Sequence, residues 1–185
     1  LRMVLPSALA MIAWVGLDPI APPPAHGPWM WAHVVAAILG MDLASYIVHR
    51  LWHEFPWLWR IHAIHHSDID LDVTTSIRNH PLEFLPLAAV AVIASWLGAT
   101  PAEIALYGLL AFAVQLLAHA NLALPAWTES ALSWIVVTPR FHSLHHSRDE
   151  RDFNANYGEV FVIWDRLFGT AVPGHTPASF GVDGL

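Results

Sequence analysis

Residues 29–66 read WMWAHVVAAILGMDLASYIVHRLWHEFPWLWRIHAIHH. From Trp29 to about Trp52 there is no proline, and before His49 the only acid or arginine is Asp42. As a helix at about 1.5 Å per residue this stretch spans roughly 35 Å, enough to cross the hydrocarbon core of a bilayer. It then runs directly into His49-Arg-Leu-Trp-His53 and His62-Ala-Ile-His65-His66. A membrane-crossing helix that ends on a bank of imidazoles sets the expected fold class: all-α, integral to the membrane, with a histidine-rich cap on one face.

The composition agrees. Of 185 residues, 56% are hydrophobic and 12% charged, with mean hydropathy +0.47, more apolar than one small soluble core needs. The length fits a single membrane domain over residues 1–185. With no cysteine, disulfides, thiolate metal sites and cysteine nucleophiles are excluded, so a metal must be held by nitrogen or oxygen. The 8 basic residues are all arginine and face 15 acids, which excludes nucleic acid as a partner because phosphate neutralisation needs a basic surface. The 13 histidines are the surplus to be explained.

Further apolar runs flank this segment. Residues 3–17 read as a membrane helix and not a signal peptide, since no small-residue cleavage site follows. Five prolines between Asp18 and Pro28 mark a loop. Residues 81–97 and 102–120 form a helical hairpin about Gly98-Ala-Thr-Pro101. About four crossings result (3–17, 29–52, 81–97 and 102–120), with hydrophilic segments 53–80 and 121–170 on one side and Trp127–Thr138 lying in the interface. In this arrangement Arg2, Arg50, Arg60, Arg78, Arg140, Arg148, Arg151 and Arg166 share one side, which the positive-inside rule makes cytoplasmic. Trp29, Trp31 and Trp96 would form an outer aromatic belt, and Trp52, Trp57, Trp59, Trp127 and Trp134 an inner one.

The same topology gathers the histidines. His49 and His53 lie at the inner end of the second helix, His80 starts the third and His119 ends the fourth. His62-Ala-Ile-His65-His66 and His142-Ser-Leu-His145-His146 lie in the inner hydrophilic segments. On a helix, H-x-x-H-H sends its first histidine and at least one of the later two to the same side. Ten imidazoles thus converge at one membrane surface, about five for each of two ions, and imidazole suits iron, zinc or copper where thiolate is absent. His26, His33 and His175 stand apart. Asp42, inside the apolar span, is about 10 Å from His49 and reads as a supporting or helix-to-helix contact more than a ligand. Glu83, Asn121 and Asp165 either orient ligand imidazoles through the second ring nitrogen or serve as caps and solvated surface. No catalytic residue beyond the metal ligands stands out.

Between Asp42 and Thr170 the chain resembles the fatty acid hydroxylase and sterol desaturase superfamily of membrane histidine-box di-iron proteins. The resemblance rests on the three boxes already quoted, Arg78-Asn-His80-Pro81, His119-Ala-Asn121, and the closing Asn156-Tyr157-Gly158 with Trp164-Asp-Arg-Leu-Phe-Gly-Thr170. The closing motif points toward the sterol desaturase-like branch. The resemblance implies an oxidoreductase of lipid biosynthesis, with two iron ions held by the box histidines and zinc able to replace them in purified protein. It also implies O2 as cosubstrate and a lipid entering from the bilayer. Two electrons would come from a separate donor, cytochrome b5-like or ferredoxin-like with its reductase. Hydroxylation and desaturation both fit. Two alternatives have weaker support. A metal transporter would place ligands near the bilayer midplane, whereas these lie at helix ends. A zinc hydrolase would use fewer ligands.

Overall fold

The structure is a computed structural model that describes Gly27, residues 29–172 and residues 175–182. The expected helix at 3–17 and nearly all of the proline-rich loop lie outside the described residues. Among those described, the helices are α1 (Trp29–Glu54), α2 (Pro56–His62), α3 (Phe84–Trp96), α4 (Pro101–His119), α5 (Ala126–Leu132), α6 (Pro139–His145), α7 (Glu150–Phe153) and α8 (Ile163–Phe168). Single 3-10 turns fall at His65–Ser67, Thr75–Ile77 and Pro81–Glu83. There is no named β-strand among the described residues, only the isolated bridges Val136–Phe161 and Ser147–Phe180.

Proline and threonine set the boundaries. Pro56 opens α2 and holds Phe55 in an extended conformation, which breaks the chain away from α1. At the hairpin, Gly98 turns with φ 102, and Thr100 caps α4 in a capping box with Glu103, with Pro101 at the first helical position. Thr138 caps α6 with its side chain alone, accepting from the Phe141 N–H, and is again followed by proline.

Among the described residues, two of the expected crossings, α1 and α4, are long and apolar enough to span a bilayer. The third run divides into a 3-10 turn and the 13-residue α3, about 20 Å of helix, because Pro81 and the Glu83 carboxylate close a turn where a straight helix was expected. Only 22% of the apolar window of α1, and the same of α4, is buried, whereas the core helix of a soluble protein would be mostly buried. Leu85, Ile93, Leu106, Leu109 and Leu117 are all exposed. Exposed apolar side chains in this number belong against lipid or a partner.

The inside is correspondingly polar. α1 buries Met41, Asp42, Ser45, Tyr46, His49, Trp52 and His53, a single stripe at helical period. Trp52 was expected in the inner belt but is only 5% exposed and packs beside His62. Trp59, assigned to the same belt, stacks on Phe153 instead. Met41, Ala91, Ile104, Tyr107 and Val160 fill the space between α1, α3 and α4. Ala118 and Phe141 join α4 to α6, with Val137 and Val162 beside them. Asp42, the acid inside the apolar span, accepts four hydrogen bonds: from Tyr107 Oη (3.2 Å), the Val160 and Phe161 N–H groups (3.1 and 3.2 Å) and Trp164 Nε1 (2.8 Å). It binds the closing segment to the helix bundle, and its distance from the histidines follows from that role.

Candidate metal centre

Each histidine-bearing segment is a helix end or a short turn fixed by the caps described above. α1 delivers His49 and His53 one turn apart, α2 ends on His62, and the following 3-10 turn carries His65 and His66. α4 ends on His119, and α6 carries His142 and His145 with His146 as its C-cap. All nine are buried, and His145 is fully so.

They form two groups, within each of which the ligand nitrogens lie no more than 4.8 Å apart: His49, His53, His62, His66 and His145, and His65, His119, His142 and His146. Neither group corresponds to one box. The outer pair of each H-x-x-H-H stays together, His62 with His66 and His142 with His146, while the middle histidine crosses to the other group. Positions i and i+4 share a helix face, and i+3 is rotated about 100° from i+4, so a box placed between two sites serves both. The groups abut: the His66 and His146 rings stack at 4.4 Å, and His62 and His65 meet at 5.2 Å.

The acceptors facing five of the Nδ1 atoms assign the protons there and leave a cage of lone pairs. His49 Nδ1 donates to the Tyr157 carbonyl (2.9 Å), His145 Nδ1 to the Ala155 carbonyl (2.7 Å) and His62 Nδ1 to Glu83 Oε2 (2.7 Å). His65 Nδ1 donates to the Arg78 carbonyl (3.2 Å) and His119 Nδ1 to the Gln115 carbonyl (2.8 Å). A neutral imidazole with its proton on Nδ1 keeps Nε2 as an acceptor, so these five rings direct lone pairs inward. His49, His62 and His145 Nε2 are buried with no partner, as are both nitrogens of His53 and of His66. Burial pushes the His62 imidazole down to about 3. Burial, with neighbouring imidazoles adding to it, holds His142, His145 and His146 well below the ordinary histidine range. So many unpaired buried nitrogens are costly unless a cation satisfies them. Oriented neutral imidazoles, each fixed through its second nitrogen, are what a metal requires. The two groups are able to hold metal ions.

The remaining expected residues divide. His80 is not brought into either group. Pro81 holds it extended as the cap of a 3-10 turn, where its ring accepts the Leu82 N–H and its own N–H donates to Glu83 Oε1 at 2.8 Å. Glu83 thereby joins that cap to His62. Asn121 is exposed and lies outside both groups. Asp165 takes the Tyr157 and Gly158 N–H groups (both 2.8 Å) and the Thr170 hydroxyl (2.7 Å), and so fixes the turn whose Tyr157 carbonyl holds His49. His33 pairs with Glu103 and His175 with Asp152, both away from the groups. The carbonyls of Arg78, Gln115, Ala155 and Tyr157 were missed, because a main-chain acceptor has no side-chain signature. The closing Asn156-Tyr157-Gly158 was the available signal. Asn156 takes a left-handed φ of 57, which places the Ala155 and Tyr157 carbonyls toward one histidine each.

One cavity adjoins the groups and a second lies beyond it. The first, of about 180 Å³, is lined by His49, His62, His65, His119 and His142 together with Trp52 and Gln115. The other, about 200 Å³, lies between α1, α3 and α4 and is lined by Met41, Val90, Ala91, Ile104, Tyr107 and Gly108 among others.

Fold and site together define a class of apolar-surfaced helical proteins in which paired histidine groups, able to hold metal ions, sit at the ends of helices. The sequence profile of the fatty acid hydroxylase family matches residues 34–170, and the chain belongs to that family. It is 37% identical over 147 residues to the ornithine lipid hydroxylase OlsE of Rhizobium tropici, covering 77% of this chain and 44% of the relative. With alkylglycerol monooxygenase of Homo sapiens it shares 31% identity over 154 residues, covering 80% of this chain and 32% of the relative. With the fatty acid hydroxylase vlmA of a Lecanicillium species it shares 28% over 168 residues, 77% and 43% of the two chains. The chain spans less than half the length of each of these relatives. No solved structure matches it.

Proposed function

We propose that the chain is a membrane-bound non-haem di-iron oxygenase that oxidises a C–H bond of a lipid with O2. The observation that carries this reading is the pair of abutting groups of buried, inward-facing imidazoles beside a cavity, inside a bundle whose outer surface is apolar. The names of the relatives, hydroxylases and a monooxygenase, support the reaction class and a lipid substrate.

Nine histidines would hold two ions: His49, His53, His62, His66 and His145 one, and His65, His119, His142 and His146 the other. His80 would cap and Glu83 would orient His62. Iron bound there would supply O2 activation. The five Nδ1 anchors keep the rings from turning, and the apolar cavity walls exclude bulk water from the reacting carbon. Hydroxylation consumes one O2, two electrons and two protons, leaves one oxygen on carbon and releases the other as water. Desaturation with the same input releases both oxygens as water. The electrons come from a separate donor, cytochrome b5-like or ferredoxin-like. Four crossings with the metal face cytoplasmic is the topology that best fits the arginine distribution. Transport is disfavoured, since Asp42 is the only acid or arginine in the middle of α1 and its hydrogen bonds are already taken.

The test is metal content and O2 uptake in anaerobically purified, detergent-solubilised protein. About two ions per chain, with O2 uptake that depends on added lipid and a reductant, is the expected result. Folded protein that binds no metal and consumes no O2 with any lipid would overturn the reading.

A further inference from the structure

The two cavities share Ser45, Phe84, Leu87, Ala111, Phe112 and Glu159. They are therefore neighbouring parts of one space, which runs from the histidines into the apolar interior between α1, α3 and α4. Five of the six shared residues are apolar or carry a small hydroxyl. Glu159 is the exception, and the backbone around it is fixed on every side. Gln115 Nε2 donates to the Glu159 carbonyl at 2.7 Å. Asp42 takes the next two N–H groups, those of Val160 and Phe161, and Asp165 takes the preceding one, that of Gly158. The half-buried carboxyl has no hydrogen-bond or ion-pair partner among the described residues.

A carboxyl left unpaired against apolar walls costs stability, while leucine would fill similar space at no such cost and glutamine would carry no acid. The surrounding hydrogen bonds position Glu159 in advance, and preorganisation of this kind strengthens the binding of a ligand that completes the missing bond. We infer that Glu159 is a specificity-determining residue, which hydrogen-bonds a hydroxyl group carried by the lipid next to the carbon that faces the histidines. The alkyl chain of that lipid lies in the cavity between α1, α3 and α4. This rests on the reading of the chain as a lipid oxygenase and narrows its substrate class to lipids that bear a hydrogen-bonding group beside the oxidised carbon.

The experiment measures equilibrium binding of 1-hexadecanol and of n-hexadecane by the purified full chain in detergent, read by displacement of a fluorescent polyene chain. The unmodified protein, Glu159→Gln and Glu159→Leu are compared after their helical circular dichroism and metal content are shown to match. The unmodified protein should favour the alcohol about tenfold beyond the ratio set by partitioning into empty micelles, the worth of one buried hydrogen bond. Glu159→Gln should keep most of that preference and Glu159→Leu should lose it while binding the alkane at least as well. A purely structural role would weaken both ligands in parallel and leave their ratio unchanged. An unchanged ratio in Glu159→Leu, or equal binding of both ligands by the unmodified protein, overturns the assignment and leaves the lipid reading intact. Failure of folded protein to bind either chain overturns both.

Discussion

Nε2 of His65 and Nε2 of His119 face each other across 3.1 Å, and neither can donate to the other. Each ring has already given its proton to a main-chain carbonyl, His65 to Arg78 and His119 to Gln115. Two lone pairs at that separation repel, and His142 and His146 bring their Nε2 atoms within 3.1 Å of the same point on His119. The arrangement is stable around a cation and strained without one. Removal of the metal is therefore expected to lower the unfolding temperature by several degrees or more, measured by thermal scans before and after chelation.

The crossing of His65 and His145 between groups makes a sharper prediction from double variants. His65 and His142 belong to different boxes but to one group. Their double alanine variant should lose one of the two ions and keep the other. His62 and His65 belong to one box but to different groups, and their double variant should lose both. If each box held its own ion, the two outcomes would be exchanged. Metal content per chain decides between them.

Glu83 accepts from His62 at 2.7 Å with one oxygen and from the His80 N–H at 2.8 Å with the other. Loss of a partner that orients a ligand imidazole typically costs 10- to 100-fold in metal affinity or activity. Glu83→Ala should fall about in that range in competition with a chelator, whereas Glu83→Gln, which retains an acceptor, should lose less. Equal retention in Glu83→Ala and the unmodified protein would show that His62 is held by packing alone.

How much of this was legible in the sequence depended on what kind of signal each feature leaves. α1 and the hairpin of α3 and α4 were readable because apolar runs, Gly98 and Pro101 report directly on local backbone preference. The gathering of nine of the ten candidate histidines was readable from spacing and topology together. His80 was not separable from them, because a histidine that caps a turn and one that faces a metal have the same neighbours in sequence. Box partition was hidden for a different reason. Spacing places histidines on a face, but which face meets which partner is decided by the packing of α2 and α6 against α1 and α4. Trp52 and Trp59 show the same limit, since an interfacial tryptophan and one packed beside a buried imidazole read alike. Asp42 was flagged by its cost in an apolar helix, and its four donors from distant residues became visible only in the folded chain.

Gly158 is a site where small size is required. A Cβ there would lie 2.8 Å from Asp165 Oδ2 and 3.0 Å from the Phe161 carbonyl. Both are held in place, so Gly158→Ala should destabilise by about 1–3 kcal/mol, the usual cost of overpacking. It should also weaken metal retention through the adjacent Tyr157 carbonyl, which holds His49. Gly40→Ala, on an open position of α1 with nothing within 4 Å, should instead stabilise by about 0.5–1 kcal/mol through helix propensity. Urea or thermal unfolding of the two variants side by side separates crowding from a general intolerance of substitution.

Acid should destabilise the protein, and the sign follows from the buried imidazoles outside the crossing helices. His62 is held at about 3 by burial, and His65, His66, His142, His145 and His146 are held well below their ordinary range by the same cause. In the unfolded chain these groups take up protons near pH 6.5. Between that value and the lowered folded values the unfolded state binds more protons than the folded state, so stability is greatest above about pH 6.5 and falls as pH drops through that window. Bound metal deepens the effect, because protons and metal compete for the same nitrogens and release of the ion accompanies acidification. Unfolding temperature and retained metal, followed together from pH 8 to pH 5, should decline in step. In a variant with alanine at His142, His145 and His146 the slope should be shallower, since fewer buried imidazoles are left to take up protons on unfolding. A melting temperature that is flat over the same range would show that the histidines are already protonated or solvated in the folded protein, and the neutral, inward-facing cage would not stand.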